Sequence, residues 1–372
     1  MRVIIAGGGT GGHLFPGIAI AQEFMARDRK NRVLFVNAGR PFEKSILSKT
    51  GFGQKSITAE GIKGRSLWQQ IISVLKIPKG ICESVQIMTN FKPEIVIGIG
   101  SYASGVVVFG AWLKGLKVVL HEQNIIPGIT NRILSHFADR VYVSFEKTKD
   151  RLSPKRVRVT GNPVRKEILK YSAGDAEKEG GDEKRKGRLT VLIVGGSQGA
   201  HSINMAVLEA LKKIDEKEKF YFIHQTGAKD LSEVRNRYMH LGVMARVESF
   251  FDNMASLYRQ ADLIICRSGA TTVAEITAVG KGVIFIPYPF AADDHQSINA
   301  EALERAGAAE MIPQKDLTGE ILSDRIKHYA SHRVALQQMA SRAKVFGMPG
   351  AAVSIVDDCY RLTGNQCATI AG

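Results

Sequence analysis

The chain has 372 residues, 44% of them hydrophobic and 23% charged, with 51 Lys and Arg against 36 Asp and Glu for a net charge of +15. That length suits two domains with separate cores, and the apolar and charged fractions are those of an ordinary globular protein. Cys82, Cys266, Cys359 and Cys367 are scattered with no C-x-x-C pair, which argues against a disulfide framework or a structural zinc and fits a reducing cytosol. The excess of positive charge points to an anionic partner or simply to a soluble basic surface. Without an aromatic RNA-binding motif, zinc-finger spacing or basic helix, nucleic acid is the weaker option, and no nucleic-acid partner is expected. Arg2 is followed by four apolar residues before glycines begin, so no secretory leader is expected. The apolar run Val106 to Leu113, broken by Gly110, is too short to span a bilayer.

The chain opens on Val3-Ile4-Ile5-Ala6 and breaks into Gly7-Gly8-Gly9-Thr10-Gly11-Gly12-His13, followed by an apolar-periodic segment from Leu14 to Phe24. This order reads as strand, tight turn and helix, with the helix's free N–H groups and positive end facing outward. Glycine allows close backbone approach, so such a turn suits an anion, typically a phosphate. Further strands are expected at 32–37, 94–97, 117–120, 140–144 and 157–160, alternating with amphipathic segments as in a doubly wound domain. Within 61–90, Leu67, Trp68, Ile71, Ile72, Leu75 and Ile77 form an apolar stripe flanked by Lys63, Arg65, Lys76 and Lys79. Such a stripe fits a buried helix face or one that dips into an anionic membrane, and Trp112-Leu113-Lys114 has the same apolar-plus-basic look.

Residues 171–187 lose apolar character and become a run of Gly, Glu, Asp, Lys and Arg, the composition of a flexible charged insertion. A domain boundary is placed just before it, giving domains at 1–163 and 164–345. Beyond it, Val191-Leu192-Ile193-Val194-Gly195-Gly196-Ser197-Gln198-Gly199-Ala200-His201 matches the opening stretch position for position. Strands are again expected at 190–194, 220–224, 245–248, 263–266, 283–286 and 309–312. A last helix from Ala351 to Leu362 follows a Met-Pro-Gly break.

Gly7, Gly9 and Gly12 satisfy G-x-G-x-x-G, but the second strand ends Asn37-Ala38-Gly39-Arg40 without the acid that a dinucleotide ribose requires. The second turn has Ser197 in place of a motif glycine, and the next strand ends His224-Gln225. Other polar groups follow strands and so fall at carboxyl edges, where open α/β sheets bind ligands. They are Gly98 to Gly105, His121-Glu122-Gln123-Asn124, Cys266 to Glu275, and Asp293-Asp294-His295-Gln296. Arg165, at the domain junction, can grip a phosphate or form a surface ion pair. Glu275 can accept ribose hydroxyls or complement a helix dipole. No D-x-D occurs in the chain, so the usual carboxylate bridge to a metal-bound nucleotide diphosphate is missing, and neither metal nor cofactor is expected.

Taken together, GGGTGGHLFPGIAIA, HEQN followed by PGITNR, GNPVR, GGSQGA, FFDNMA, CRSGATTVAE and DDHQ run in order over nearly the whole chain. In these the chain resembles the MurG family of peptidoglycan N-acetylglucosaminyltransferases, family 28 glycosyltransferases of the GT-B class. The resemblance implies two Rossmann-like, doubly wound parallel-sheet domains facing across a cleft, with the C-terminal helix, 349–364, packed back on the first. It implies an inverting transfer of N-acetylglucosamine from UDP-N-acetylglucosamine to the C4 hydroxyl of undecaprenyl-pyrophosphoryl-N-acetylmuramoyl-pentapeptide, by a peripheral protein on the cytoplasmic face of the cell membrane. The partners would be that donor, that lipid-linked acceptor and an anionic membrane surface touched by Leu67, Trp68, Ile71, Ile72, Leu75 and Trp112.

By the same resemblance, Thr10, Gly11 and Gly12 would face the donor sugar and diphosphate, and Asn124 and Gln296 would hold the sugar. Arg165 and Ser197 would bind diphosphate, and Phe251 would present backbone to uracil. Ala270, Thr271, Thr272, Val273, Ala274 and Glu275 would hold phosphate and ribose. His13 is the candidate base or acceptor-positioning group, with a helix-capping role as its plain alternative, and Glu122 is a second candidate. The sequence departs from the family pattern at Ser101, where glycine is common, at His295 beside Gln296, and in the length of its charged insertion. A nucleotide-sugar epimerase or glycolipid synthase of the same architecture remains the alternative.

Overall fold

A computed structural model describes residues 1–61, 66–152, 156–170 and 187–365. The charged insertion at 171–186, and Lys63 and Arg65 beside the apolar stripe, lie outside the described residues. The chain divides into two compact units, residues 1–165 with 348–372, and residues 166–347.

Among the described residues of the first unit, seven parallel strands run β3-β2-β1-β4-β5-β6-β7 across the sheet. They are β1 (Arg2–Ala6), β2 (Arg32–Asn37), β3 (Gly53–Ser56), β4 (Ile95–Gly98), β5 (Lys117–Glu122), β6 (Arg140–Val143) and β7 (Val157–Val159). Its helices are α1 (Gly11–Arg27), α2 (Pro41–Ser48), α3 (Leu67–Leu75), α4 (Ile77–Phe91), α5 (Tyr102–Leu113) and α6 (Ile129–Leu134). Runs such as Val-Ile-Ile-Ala suit a sheet covered on both faces, since neither side of a central parallel strand meets water. Val3 and Ile5 enter one core with Leu14, Phe24 and Phe35 under α1, while Ile4 and Ala6 enter the other with Val96 and Val107 under α5. β3, Gly-Gln-Lys-Ser, is exposed throughout and pairs only with β2, with Leu34 opposite Gly53, which is why no apolar pattern announced it.

In the second unit the helices are α7 (Lys166–Lys170), α8 (His201–Lys212), α9 (Leu231–His240), α10 (Met254–Gln260), α11 (Ala270–Val279), α12 (His295–Glu304), α13 (Gly319–Ser331) and α14 (Arg333–Val345). Its strands are β8 (Leu189–Val194), β9 (Phe220–Gln225), β10 (Ala245–Glu248), β11 (Leu263–Cys266), β12 (Gly282–Phe285) and β13 (Glu310–Met311), in the parallel order β10-β9-β8-β11-β12-β13. Each sheet reverses its winding beside the strand that feeds a glycine turn, between β1 and β4 and between β8 and β11. These are the switch points at which open α/β sheets take ligands.

The last helix, α15 (Ala351–Thr363), returns to the first unit and covers the α1 face. Tyr360 packs on Phe24 and accepts from Asn31 Nδ2 at 2.8 Å. Tyr142 donates to the buried carboxylate of Asp358 at 3.0 Å, and Arg140 and Arg158 each lie 3.5 Å from it.

Candidate functional site

The first glycine turn is tightly built. Gly7, Gly8 and Gly9 have φ of 136°, 152° and 92°, and a Cβ on Gly7 would lie 2.3 Å from the Gly100 carbonyl oxygen. Only glycine fits that approach. Contrary to the picture of a turn with free amides, Gly9 N–H donates to Glu43 Oε1 at 2.5 Å, and Arg40 N–H donates to Glu43 Oε2 at 2.9 Å. Glu43, buried on α2, thus places a carboxylate inside the turn, where a second anion would be repelled. Thr10 and Gly12 stay exposed where α1 begins, and Thr10 makes no side-chain cap.

His13 stands one turn into this edge, half-buried, with Nδ1 3.0 Å from Gln123 Oε1. Its ring is not a helix cap; it lies against Gly100, whose imagined Cβ would meet Nδ1 at 2.8 Å. Gln123 in turn reaches Ile99 O at 3.0 Å and His121 Nδ1 at 3.1 Å. Strand β5 runs on through Glu122, so His121 and Glu122 are strand residues rather than the loop after it. Burial pulls His121 down to about 4, which keeps it neutral near pH 7. Glu122 accepts from Asn124 N, Gly128 N and Asn131 Nδ2, at 3.0, 3.1 and 2.8 Å. It is committed to shaping the 123–128 turn, which weakens it as a base. Asn124 sits on that turn, half-buried. The Arg165 guanidinium lies 4.1 Å above the Phe15 ring of α1, a cation–π contact that brings it beside the α1 segment that follows the first turn.

The second turn carries a different set. Gly199, at φ 79°, would place a Cβ 2.0 Å from Thr226 O, and Gly227 faces Gln198 O at 2.2 Å, so two backbone segments touch there. Gln225 Nε2 donates to Gly196 O at 2.8 Å while its Oε1 accepts from Phe251 N at 2.9 Å. With that N–H engaged, a contribution of Phe251 to a base runs through its carbonyl. Ser197 is exposed, and α8 opens without a side-chain cap or an acid in its first turn. Across the switch point, α11 also opens uncapped and acid-free after Gly269. Ala270, Thr271, Val273 and Glu275 are buried and Thr272 and Ala274 half-buried, so the six do not form one exposed face. Glu275 accepts from Tyr258 OH at 3.0 Å. Gln296 accepts from Tyr288 N at 3.0 Å and its carbonyl takes the Ser268 hydroxyl at 2.8 Å, tying α12 to both neighbouring turns.

Glu43 has no place among the residues singled out from the sequence, and Gln123, Gln225 and Arg267 stand there only as members of polar runs at strand ends, with no role of their own. Arg267 holds Ile286 O, Pro287 O, Ser202 Oγ and Gln314 Oε1 at 3.0, 3.0, 3.1 and 2.7 Å, all neutral acceptors. Burial lowers its pKa from the usual arginine value. A cation held this way leaves a positive field at the carboxyl edge of β11 and β12. A lone arginine in a motif gives no sign of that.

The apolar stripe is not core. Trp68 and Leu75 on α3 are 73% and 72% exposed, and Ile71, Ile72, Trp112, Ile129 and Ile133 are exposed with them. Leu67 begins α3, its side chain lying outside the described ones. Beside the stripe, Lys76 pairs with Glu60 at 2.5 Å and Lys79 lies 3.8 Å from Glu83. Among the described residues no helix is long and apolar enough to cross a membrane.

Two doubly wound parallel sheets, each with a glycine turn at its switch point, make up the GT-B fold, and the family match makes the chain a glycosyltransferase. The chain belongs to glycosyltransferase family 28: residues 3–143 match the N-terminal domain of that family and residues 190–355 its C-terminal domain. It is 47% identical over 363 residues to the UDP-N-acetylglucosamine--N-acetylmuramyl-(pentapeptide) pyrophosphoryl-undecaprenol N-acetylglucosamine transferase of Syntrophus aciditrophicus, covering 97% of this chain and 99% of that one. The protein of the same name from Myxococcus xanthus is 41% identical over 97% of this chain and 93% of its own length. Among solved structures, MurG of Acinetobacter baumannii matches with a TM-score of 0.74 and 30% identity over 97% of this chain and 99% of its own. A UDP-GlcNAc 2-epimerase from Neisseria meningitidis matches with a TM-score of 0.68 at 16% identity over 97% of this chain and all of that one, a likeness of fold alone.

Proposed function

We propose that this protein transfers N-acetylglucosamine from UDP-N-acetylglucosamine to the C4 hydroxyl of undecaprenyl-pyrophosphoryl-N-acetylmuramoyl-pentapeptide, with inversion and without a metal. The observation that carries the reading is the match, over nearly the full length of both chains, to relatives bearing that activity in their names. The hydroxyl oxygen attacks the anomeric carbon, the bond to the diphosphate breaks, and His13 takes the proton. UDP leaves toward Ser197 and the α8 and α11 N-termini, with Arg165 as a further diphosphate contact. Asn124 and Gln296 hold the sugar, Phe251 offers its carbonyl to uracil, and Thr10, Gly11 and Gly12 border the reacting groups. Of the residues from Ala270 to Glu275, the amides of the first turn serve phosphate, and Glu275 serves ribose.

The test is transfer of radiolabelled sugar from the donor to the lipid-linked acceptor in the presence of EDTA. Labelled disaccharide-lipid is expected; labelled UDP-N-acetylmannosamine formed from donor alone would make the protein an epimerase, and loss of transfer in EDTA would end metal independence.

The exposed stripe supports a peripheral seat on the cytoplasmic face of the cell membrane, with Trp68, Ile71, Ile72, Leu75 and Trp112 entering the interface. Replacing Trp68 by Ala removes about 2 kcal/mol of apolar burial and should weaken binding to anionic vesicles roughly thirtyfold. Turnover of a soluble acceptor analogue should be unaffected. Unchanged vesicle binding would remove the stripe from the membrane face.

A further inference from the structure

Two backbone carbonyl oxygens set the direction of every hydrogen bond in a chain of side chains that ends on His13. His121 Nε2 lies 3.3 Å from Gly161 O, and a carbonyl can only accept, so Nε2 carries the ring proton. A neutral His121 then has a bare Nδ1. Gln123 Nε2 faces that Nδ1 at 3.1 Å and Ile99 O at 3.0 Å. Both are acceptors, which orients the amide: reversed, its oxygen would stand against a carbonyl and a lone pair. Gln123 Oε1 is left facing His13 Nδ1 at 3.0 Å, and an amide oxygen only accepts. His13 therefore bears its proton on Nδ1 and keeps the lone pair on Nε2. Gly100, at φ 90° and without a Cβ, leaves room for the ring in that pose. When Nε2 gains a proton, the Nδ1 bond to Gln123 is unchanged, so the charged ring needs no rearrangement.

We propose that Gln123, oriented by His121 between the Ile99 and Gly161 carbonyls, is a positioning residue that locks His13 in the Nδ1–H tautomer with Nε2 free to take the acceptor's hydroxyl proton. This rests on the reading of His13 as the base. The same relay explains why a buried, uncharged histidine stands near the carboxyl end of β5: its task is to orient an amide.

Long-range proton–nitrogen NMR of protein labelled with ¹⁵N-histidine, with His13 assigned by its loss in His13→Ala, reads the tautomer directly. At the alkaline plateau of the His13 titration a protonated Nδ1 and a bare Nε2 are expected. In Gln123→Met, kcat should fall tenfold to a hundredfold with the KM for UDP-N-acetylglucosamine within twofold, and the His13 signals should shift toward the Nε2–H form. A wild-type His13 protonated on Nε2, or a folded Gln123→Met with wild-type kcat, would overturn the proposal. Should that variant not fold, the wild-type spectrum decides alone. If His13 is Nδ1–H but His13→Ala turns over normally, the base reading fails and the catalytic role of Gln123 fails with it, the tautomer lock standing only as architecture.

Discussion

The two glycine turns, Gly7 to Gly12 after β1 and Gly195 to Gly199 after β8, match in sequence and in place at the switch point, yet they differ in charge. The first is closed by the Glu43 carboxylate on Gly9 N–H; the second is braced by the neutral amide of Gln225 on Gly196 O. His13 is turned into a buried relay, whereas His201, its counterpart, is exposed with Nδ1 3.1 Å from Asp230. The backbones differ as well: Gly7, Gly8 and Gly9 all have positive φ in the first turn, whereas Gly196 and Gly199 do in the second, and α1 begins at Gly11 while α8 begins at His201, two matched positions later. A different side chain reaches each copy from the next helix or strand, Glu43 in the first and Gln225 in the second.

Predictions follow from breaking that asymmetry. The largest effect belongs to the histidines: His13→Ala should lower kcat by about 10² to 10⁴ at saturating substrates, the range for general base loss. His201→Ala should change kcat less than threefold in the same assay. Equal losses would erase the distinction between the turns.

Next comes Glu43→Gln, which sets an amide group against a backbone donor. It should cost roughly 1–3 kcal/mol in urea unfolding, with UDP affinity unchanged.

Each domain also holds one buried neutral histidine, His121 at about 4 and His224 at about 3, both lowered chiefly by burial. Unfolding restores an ordinary value near 6.5, so the unfolded chain binds more protons below that pH, and stability falls as pH drops from about 6.5 toward 4. At pH 5 each should cost roughly 2 kcal/mol relative to pH 7. His121→Asn and His224→Asn should each flatten the slope of urea-unfolding free energy between those pH values.

The smallest effect is at Ser101, held at φ 82° and ψ 168°, a conformation suited to glycine. Ser101→Gly should stabilise by about 1 kcal/mol and raise Tm by roughly 2–4 °C. An unchanged or lower Tm would mean that the strain is absent or offset.

The strands were legible where apolar runs are buried: β1, β2 and β11 have the expected bounds, and so does β10, an edge strand of Ala, Arg, Val and Glu in which only Val247 is buried. β3 was not, because an exposed edge strand of Gly, Gln, Lys and Ser needs no apolar side chain. At the site, the motifs placed His13, Ser197 and Gln296 at strand ends. The contacts of Glu43 with Gly9 and of Gln123 with His13 left no local trace, since the partners lie 34 and 110 residues away and nothing in spacing encodes such pairs. Nor could helical periodicity decide the stripe from Trp68 to Leu75. An apolar face looks the same whether another helix covers it or not, and only its exposure separates the two.

Calorimetric titration of UDP into two charge-insertion variants decides whether the turn after β8, and not the turn after β1, takes the diphosphate. Ser197→Asp should weaken UDP binding more than tenfold while Thr10→Asp changes it less than twofold. Equal weakening by both, or a larger loss at Thr10, would place the diphosphate at the turn after β1 as well.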